Sequence, residues 1–253
     1  MSIKKFTSLL LLMFFLFARA YAQDEKIFNK LNTRYTLDNF EDCIKKAQGY
    51  AEGRNTSKDA YPYLYMAMSY FSIYQNIDHY DPKIYKDPLR KALINAGKFL
   101  KRDKKKELRS ESSDFLDQLH KATLKECAYM AKNTDWRNLQ NLAREMSKEY
   151  PKDYPMQITA GTYLLYSGVK GEGEKAIQTG MDSLKKKPAI TDSLLQPDYV
   201  NAFVLYTGYL VETKDTKKAK TVIKFAMDYC PGNNDLKNIS DKLNNPEVPK
   251  TTH

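Results

Sequence analysis

The chain predicts an all-α protein built from stacked helix hairpins. Three observations lead there. The stretch from Tyr199 to Pro231 divides into two amphipathic halves about a short polar turn. Glycine is scarce, at 10 of 253 residues, and runs of alternating Val, Ile and Thr are missing, so strands are not expected. Looser copies of the two-part stretch recur along most of the chain. A hairpin of two helices cannot bury both apolar faces alone, so neighbours must stack beside it.

In the best copy, Tyr199, Phe203, Tyr206 and Leu210 fall on one face of a 3.6-residue helix, and Ala219, Val222, Ile223, Ala226, Met227 and Cys230 do the same in the second half. The polar link Glu212 to Thr216 is short enough to force an antiparallel pair, and Pro231-Gly232 ends it.

Taken from the start, Lys4 and Lys5, the apolar run Leu9 to Phe17 and the small-x-small site Ala20-Tyr21-Ala22 have the three-part pattern of a secretory signal peptide over 1–22. Cleavage there leaves Gln23 first. The apolar run is short for a membrane span, and the first cysteine is Cys43, so lipid anchoring is not expected. A short helix is expected over Asp24 to Asn32, then one over Leu37 to Glu52 with Phe40, Cys43, Ile44, Ala47 and Tyr50 inward. Asp59 to Asn76 follows, strongly apolar, with Pro62 in its first turn. Ile77 to Asp87 reads as an irregular insert, closed by an Asp87 cap before Pro88. The next helix, to about Leu100, turns Leu89, Ala92, Leu93, Ala96 and Phe99 inward.

After a basic knot, Ser110 to Lys132 reads as one long helix with Phe115, Leu119 and Ala128 among its apolar positions. Asp135 to Tyr150 carries Trp136, Leu139, Leu142, Ala143 and Met146. Pro155 to Val169 forms another arm, broken by Gly171-Glu172-Gly173 and completed by Glu174 to Lys187. Asn234 to Leu243 reads as a capping helix, and 244–253 as a disordered tail. The repeat domain thus spans 23–243.

The Tyr199 to Pro231 stretch resembles a tetratricopeptide repeat (TPR). Phe203 stands at that pattern's first large aromatic, Tyr206-Thr207 at its Leu-Gly pair and Leu210 at its second aromatic. Ala219, Ile223 and Ala226 match the second helix, and Pro231 the closing proline. Tyr163, Ala176 and Pro188 fit a second copy, although Ser167 and Gly180 replace large residues; Leu139, Ala143, Met146 and Pro151 fit half of a third, and Tyr63, Ala67 and Tyr70 a first helix. The closing prolines are not regularly spaced, so the resemblance implies an irregular TPR-like α-solenoid.

That resemblance also implies an inner surface made by one face of each first helix: Tyr61, Leu64, Tyr65, Met68 and Phe71 early, then Ile158, Thr162 and Leu165, then Asn201, Val204 and Gly208. The Lys and Asn pattern with which some relatives clamp a carboxylate is missing. The expected groove is aromatic and apolar, suited to a peptide segment or a helix of another protein, against the plainer reading of an aromatic core stripe.

Charge offers a second surface. Removing Lys4, Lys5 and Arg19 takes the formal charge from +10 to +7, still basic. Lys98, Lys101, Arg102, Lys104, Lys105, Lys106 and Arg109 are its densest run, either docking on anionic lipid or acidic glycan or simply solvating a helix end. An exported chain rarely meets nucleic acid, so an acidic partner is expected instead.

Chemistry is sparse. Cys43, Cys127 and Cys230 lie on apolar stripes, as core thiols or as one disulfide with a thiol left over. Asp78-His79-Tyr80-Asp81 is the one cluster resembling a metal or acid–base site, with no second histidine-rich segment to complete it. There is no phosphate loop, GxSxG, HExxH or CxxC. The expectation is an exported, periplasmic or secreted scaffold without cofactor, metal or catalysis.

Overall fold

The computed structural model describes residues 28–192 and 196–245. The leader and its cleavage site, the first four residues of the helix expected over Asp24 to Asn32 and the tail from 246 lie outside the described residues.

All regular structure among the described residues is helical. The elements are α1 (28–36), α2 (Phe40–Glu52), α3 (Tyr61–Gln75), a 3-10 turn (Ile77–His79), α4 (Pro88–Arg102), α5 (Glu107–Glu111) and α6 (Ser113–Lys132). They continue with α7 (Trp136–Glu149), α8 (Tyr154–Tyr166), α9 (Lys170–Leu184), α10 (Gln196–Glu212), α11 (Thr216–Tyr229) and α12 (Asn234–Asn244). They gather into two compact units, one ending at Thr123 and the other beginning at Leu124.

One turn recurs. After α1, α6, α8 and α10 the chain takes a single left-handed residue: Asp38 (φ 55°), Thr134 (57°), Gly168 (85°) and Lys214 (63°). In each case two backbone N–H groups reach back to close the helix end. Asn39 donates to the Arg34 carbonyl at 3.0 Å, Asp135 to Met130 at 2.9 Å, Val169 to Leu164 at 2.8 Å and Asp215 to Leu210 at 2.8 Å. These are Schellman ends, which satisfy carbonyls the helix leaves open. Three of the next residues, Asn39, Asp135 and Asp215, then cap the following helix through their side chains. Four helix pairs are therefore joined by the same device, although only one of its left-handed residues is glycine.

In the first unit α3 is central and packs against α2 and α4. Its YPYLYMAMSYFSIYQ sequence is apolar nearly all round, which suits a helix covered on most sides. Leu31, Cys43, Ala47, Tyr63, Leu64, Tyr65 and Phe99 form its core, and a smaller cluster of Phe40, Ile44 and Ile73 is covered by Tyr80 and Tyr85 of the insert. The Tyr85 hydroxyl bonds to Glu41; burial, then that bond, pushes its pKa up to about 12. Asp87 does not cap α4 through its side chain. It takes a left-handed conformation (φ 51°) before Pro88, and its carboxylate stands 3.9 Å from Arg90.

In the second unit α8 is central and packs against α7, α9 and α10. Here the glycine reading needs correcting. Gly171-Glu172-Gly173 does not break a helix; it lies inside α9, and the turn is at Gly168. The physical reason is close approach. A Cβ on Gly161 would stand 2.7 Å from the Gly173 carbonyl oxygen and 2.9 Å from the Ile177 amide nitrogen. One on Gly180 would meet Ile158 Cγ1 at 2.8 Å, which explains why that position lacks the large residue of the repeat pattern.

Gln157, buried at the start of α8, donates to the carbonyls of Ser147 (2.7 Å) and Tyr150 (2.9 Å) and accepts from the Ser147 hydroxyl at 2.9 Å. It thereby satisfies the carbonyls at the end of α7. Gln196, buried at the start of α10, donates to the Ile190 carbonyl of the preceding loop at 2.9 Å and to the Pro231 carbonyl at 3.4 Å.

Other expectations shift. The long helix from Ser110 is interrupted at Ser112, giving α5 and α6. Ala128 and Trp136 are exposed rather than inward, Trp136 by 38%. The three cysteines are free and buried, so no disulfide is present.

Candidate functional site

The apolar line of α3 serves mainly the interior of its own unit. Leu64, Tyr65 and Phe71 are buried, while Met68 and Tyr61 are half-buried. Tyr65 donates its hydroxyl to Asn32 Oδ1 at 3.1 Å and its ring packs edge-on to Tyr35, so α1 occupies the face that sequence would leave open. Phe71 meets Phe115 of α6 edge-on, with centroids 5.9 Å apart. The later positions Ile158, Thr162 and Leu165 are buried too; Asn201 is exposed, and Val204 and Gly208 are half-buried. Of the five early residues, Tyr61 lines an open space.

That space is a cleft of about 660 Å³, open to solvent, where the first turn of α3 meets the end of α4. Its lining combines the apolar Phe28, Ala60, Tyr61 and Leu108, the cationic Lys58, Arg102, Lys104 and Lys105, and the carboxylates Asp59, Asp103 and Glu107. Phe28 and Tyr61 pack against each other at 5.3 Å between ring centroids.

The sequence builds this in steps. Tyr61-Pro62 opens α3 with proline in its first turn. The preceding loop is folded back by Thr56, whose hydroxyl bonds the Tyr50 carbonyl. That loop presents the Ser57 carbonyl to Arg102 Nε at 3.1 Å. Arg102 also donates from Nη1 to the Lys98 carbonyl at 3.3 Å and lies over the Tyr63 ring, its guanidinium carbon 4.0 Å from the centroid. The guanidinium is thus stacked and braced rather than free to swing.

The basic run separates into two groups. Arg102 and Arg109 are structural as well as charged: Arg109 Nη2 donates to the Leu100 carbonyl at 2.9 Å, closing the α4 end. Asp103, itself buried, accepts the Arg109 backbone N–H at 2.8 Å and so commits its charge to the turn between α4 and α5. Lys98, Lys101, Lys104, Lys105 and Lys106 are exposed. Lys106 adopts the left-handed conformation at φ 64° that turns the chain into α5.

Elsewhere the chemistry is thin. Asp78, His79 and Asp81 are exposed around the 3-10 turn, and among the described residues no group of three or more His, Cys, Asp or Glu is placed to hold a metal ion. No described helix is long and apolar enough to cross a membrane. A second cleft of about 300 Å³ lies between α11 and α12, lined by Lys220, Ile223, Lys224, Met227 and Leu243 among others.

The basic half of the main cleft is visible in sequence as the run Lys98 to Arg109. Lys58 and Phe28 are not, because they stand far away in the chain. Comparison of this chain with protein-family models, with curated proteins and with solved structures finds no match.

Proposed function

We propose that this chain is an exported, non-catalytic scaffold of TPR-like helix hairpins that binds another envelope or secreted protein. The observation that carries the reading is the open cleft at the junction of α3 and α4. It combines the packed rings of Phe28 and Tyr61 with a braced guanidinium and exposed lysines. Such a mixture suits recognition: apolar rings supply contact area and charges supply orientation. The solenoid arrangement is part of the proposal and draws its support from the one turn that joins four helix pairs. The leader pattern supports export.

The test is affinity capture from an envelope extract with the chain starting at Gln23, beside a Phe28→Ala/Tyr61→Ala variant shown by circular dichroism to be folded. The wild-type chain should retain a discrete partner that the variant loses. Equal recovery by both would remove the cleft from the reading.

A second reading has its own observation. The lysines of the 98–106 run are exposed on one end of α4, and such a surface could dock on anionic lipid or acidic glycan. Salt-sensitive sedimentation with anionic vesicles, unaffected by Phe28→Ala/Tyr61→Ala, would favour it over the cleft.

A further inference from the structure

The scaffold reading leaves the occupant of the cleft open; its geometry and charge narrow that choice. Arg102 carries five N–H donors in a planar fork. Its two hydrogen bonds among the described residues go from Nε to Ser57 and from Nη1 to Lys98, and the Tyr63 ring covers one face. The Nη2 amino group is left over on a guanidinium whose orientation is already set. Setting it in advance removes most of the entropy cost of ordering an arginine on binding.

Around it stand Lys58, Lys104 and Lys105, none of which forms an ion pair among the described residues, and the first turn of α3, which has no side-chain cap. The positive end of that helix adds to the same field. Of the nearby carboxylates, Asp103 is already engaged by the Arg109 N–H. By formal charge the four cations of the lining outnumber its three carboxylates, so the cleft is net positive.

Two further features select among anions. The cations come from separate stretches of chain, Lys58 before α3 and Arg102, Lys104 and Lys105 at the end of α4, and the carboxylates Asp59 and Glu107 share the lining with them. A compact dianion would meet those carboxylates; a chain with spaced charges can step between them. The apolar residues of the same lining, Phe28, Tyr61 and Leu108, call for an apolar or aromatic side chain. A concave site of this kind also fits a flat bilayer poorly.

Resting on the scaffold reading, we propose that the cleft binds an acidic peptide segment of the partner. Carboxylates would lie on Arg102, Lys58, Lys104 and Lys105, and an interspersed apolar side chain against Phe28, Tyr61 and Leu108.

The test uses a short fluorescein-labelled peptide of alternating Glu and Phe, read by fluorescence anisotropy with the whole exported chain. Lys104→Glu/Lys105→Glu, two exposed positions, should weaken binding about tenfold or more, since each reversal sets like charges together. Lys186→Glu/Lys187→Glu, an exposed lysine pair on the other unit, should leave it unchanged. A peptide with Ser in place of Phe should bind more weakly than the Phe peptide. Equal loss in both double variants, or none in either, overturns the assignment. So does a chain that ignores the peptide but sediments with phosphatidylglycerol vesicles. If the envelope partner is still captured while the peptide does not bind, the occupant class is wrong and the scaffold reading stands.

Discussion

The contact between α8 and α9 allows the same substitution to be predicted with opposite signs at two glycines. In a helix interior, Gly→Ala stabilises by about 1 kcal/mol, because alanine has less backbone freedom to lose. Gly208 of α10 has nothing within 4 Å of where a Cβ would stand, so that gain should be realised in full. At Gly161 the new methyl would lie 2.7 Å from the Gly173 carbonyl oxygen and 2.9 Å from the Ile177 amide nitrogen. Both are backbone atoms of α9, which cannot swing aside as a side chain can. Relief requires α8 and α9 to separate, loosening Ile158, Leu165 and Ile177 in the core of the unit. Overpacking of this sort costs about 1–3 kcal/mol, and a clash with backbone on two sides belongs in the upper half of that range. Net of the helical gain, Gly161→Ala should destabilise by about 1–2 kcal/mol, while Gly208→Ala stabilises by about 1. Thermal melts by circular dichroism, with urea titrations beside them, would read the difference. For a chain of this size each kcal/mol moves the midpoint by about 2–4 °C. The two variants should therefore shift in opposite directions and end several degrees apart. Two shifts of the same sign would refute the backbone-to-backbone contact.

The remaining predictions are simpler. Thr134→Gly should raise stability by about 1 kcal/mol, because a β-branched residue at φ 57° bears a left-handed cost that glycine avoids; a lower melting midpoint would contradict the turn geometry. Gln157→Leu should cost about 1–3 kcal/mol, read from urea titrations, since it strips two part-buried carbonyls of their donor. Burial pushes Cys43 and Cys127 up and Cys230 up to about 11, so native protein at pH 8 should react slowly with a thiol reagent and unfolded protein at once. Because these pKa values are raised, their contribution to stability holds below the unfolded thiol range and falls away as pH rises from about 8.5 towards the folded values. Mass spectrometry of the exported protein should find Gln23 at its N-terminus; a chain that still begins at Met1 would sink the leader reading.

Helix positions were legible wherever one face was apolar and the other charged. Asp135–Tyr150 and the helix between the Glu212 to Thr216 link and Pro231 were read to within a residue or so, because their stripes are clean. Facing was not legible in α3 and α8. Both are apolar nearly all round, so periodicity cannot say which side a neighbour takes, and the line Tyr61 to Phe71 could equally be groove or core. The glycines of α9 failed for a related reason. A glycine that breaks a helix and one that lets another backbone approach are the same letter, and only the partner, Gly161, distinguishes them. The turn that recurs four times was also hidden, since Asp38, Thr134 and Lys214 give no local hint of a left-handed backbone.

The cleft shows where such reading must stop and what it can still supply. Its charge was visible, because Lys98 to Arg109 is dense enough to stand out in any window. Its shape was not, because the walls come from residue 28, from 58–61 and from 102–108, brought together only when α3 and α4 pack side by side. Nor did the sequence reveal that the run does two jobs. Arg102 and Arg109 face inward to carbonyls and hold the end of α4, while the lysines between and around them face water. That division matters for the mechanism of recognition. A run of interchangeable cations would bind any anionic surface and release it in salt. A braced guanidinium beside an aromatic wall restricts the geometry a ligand can take, and the lysines then serve capture more than selection. The order of effects follows: salt should slow association with the lysines intact, whereas Arg102→Lys, which keeps the charge and loses the fork, should chiefly speed dissociation. Stopped-flow measurement with the acidic peptide separates the two. A variant whose whole loss lies in the association rate would mean that Arg102 is one cation among many.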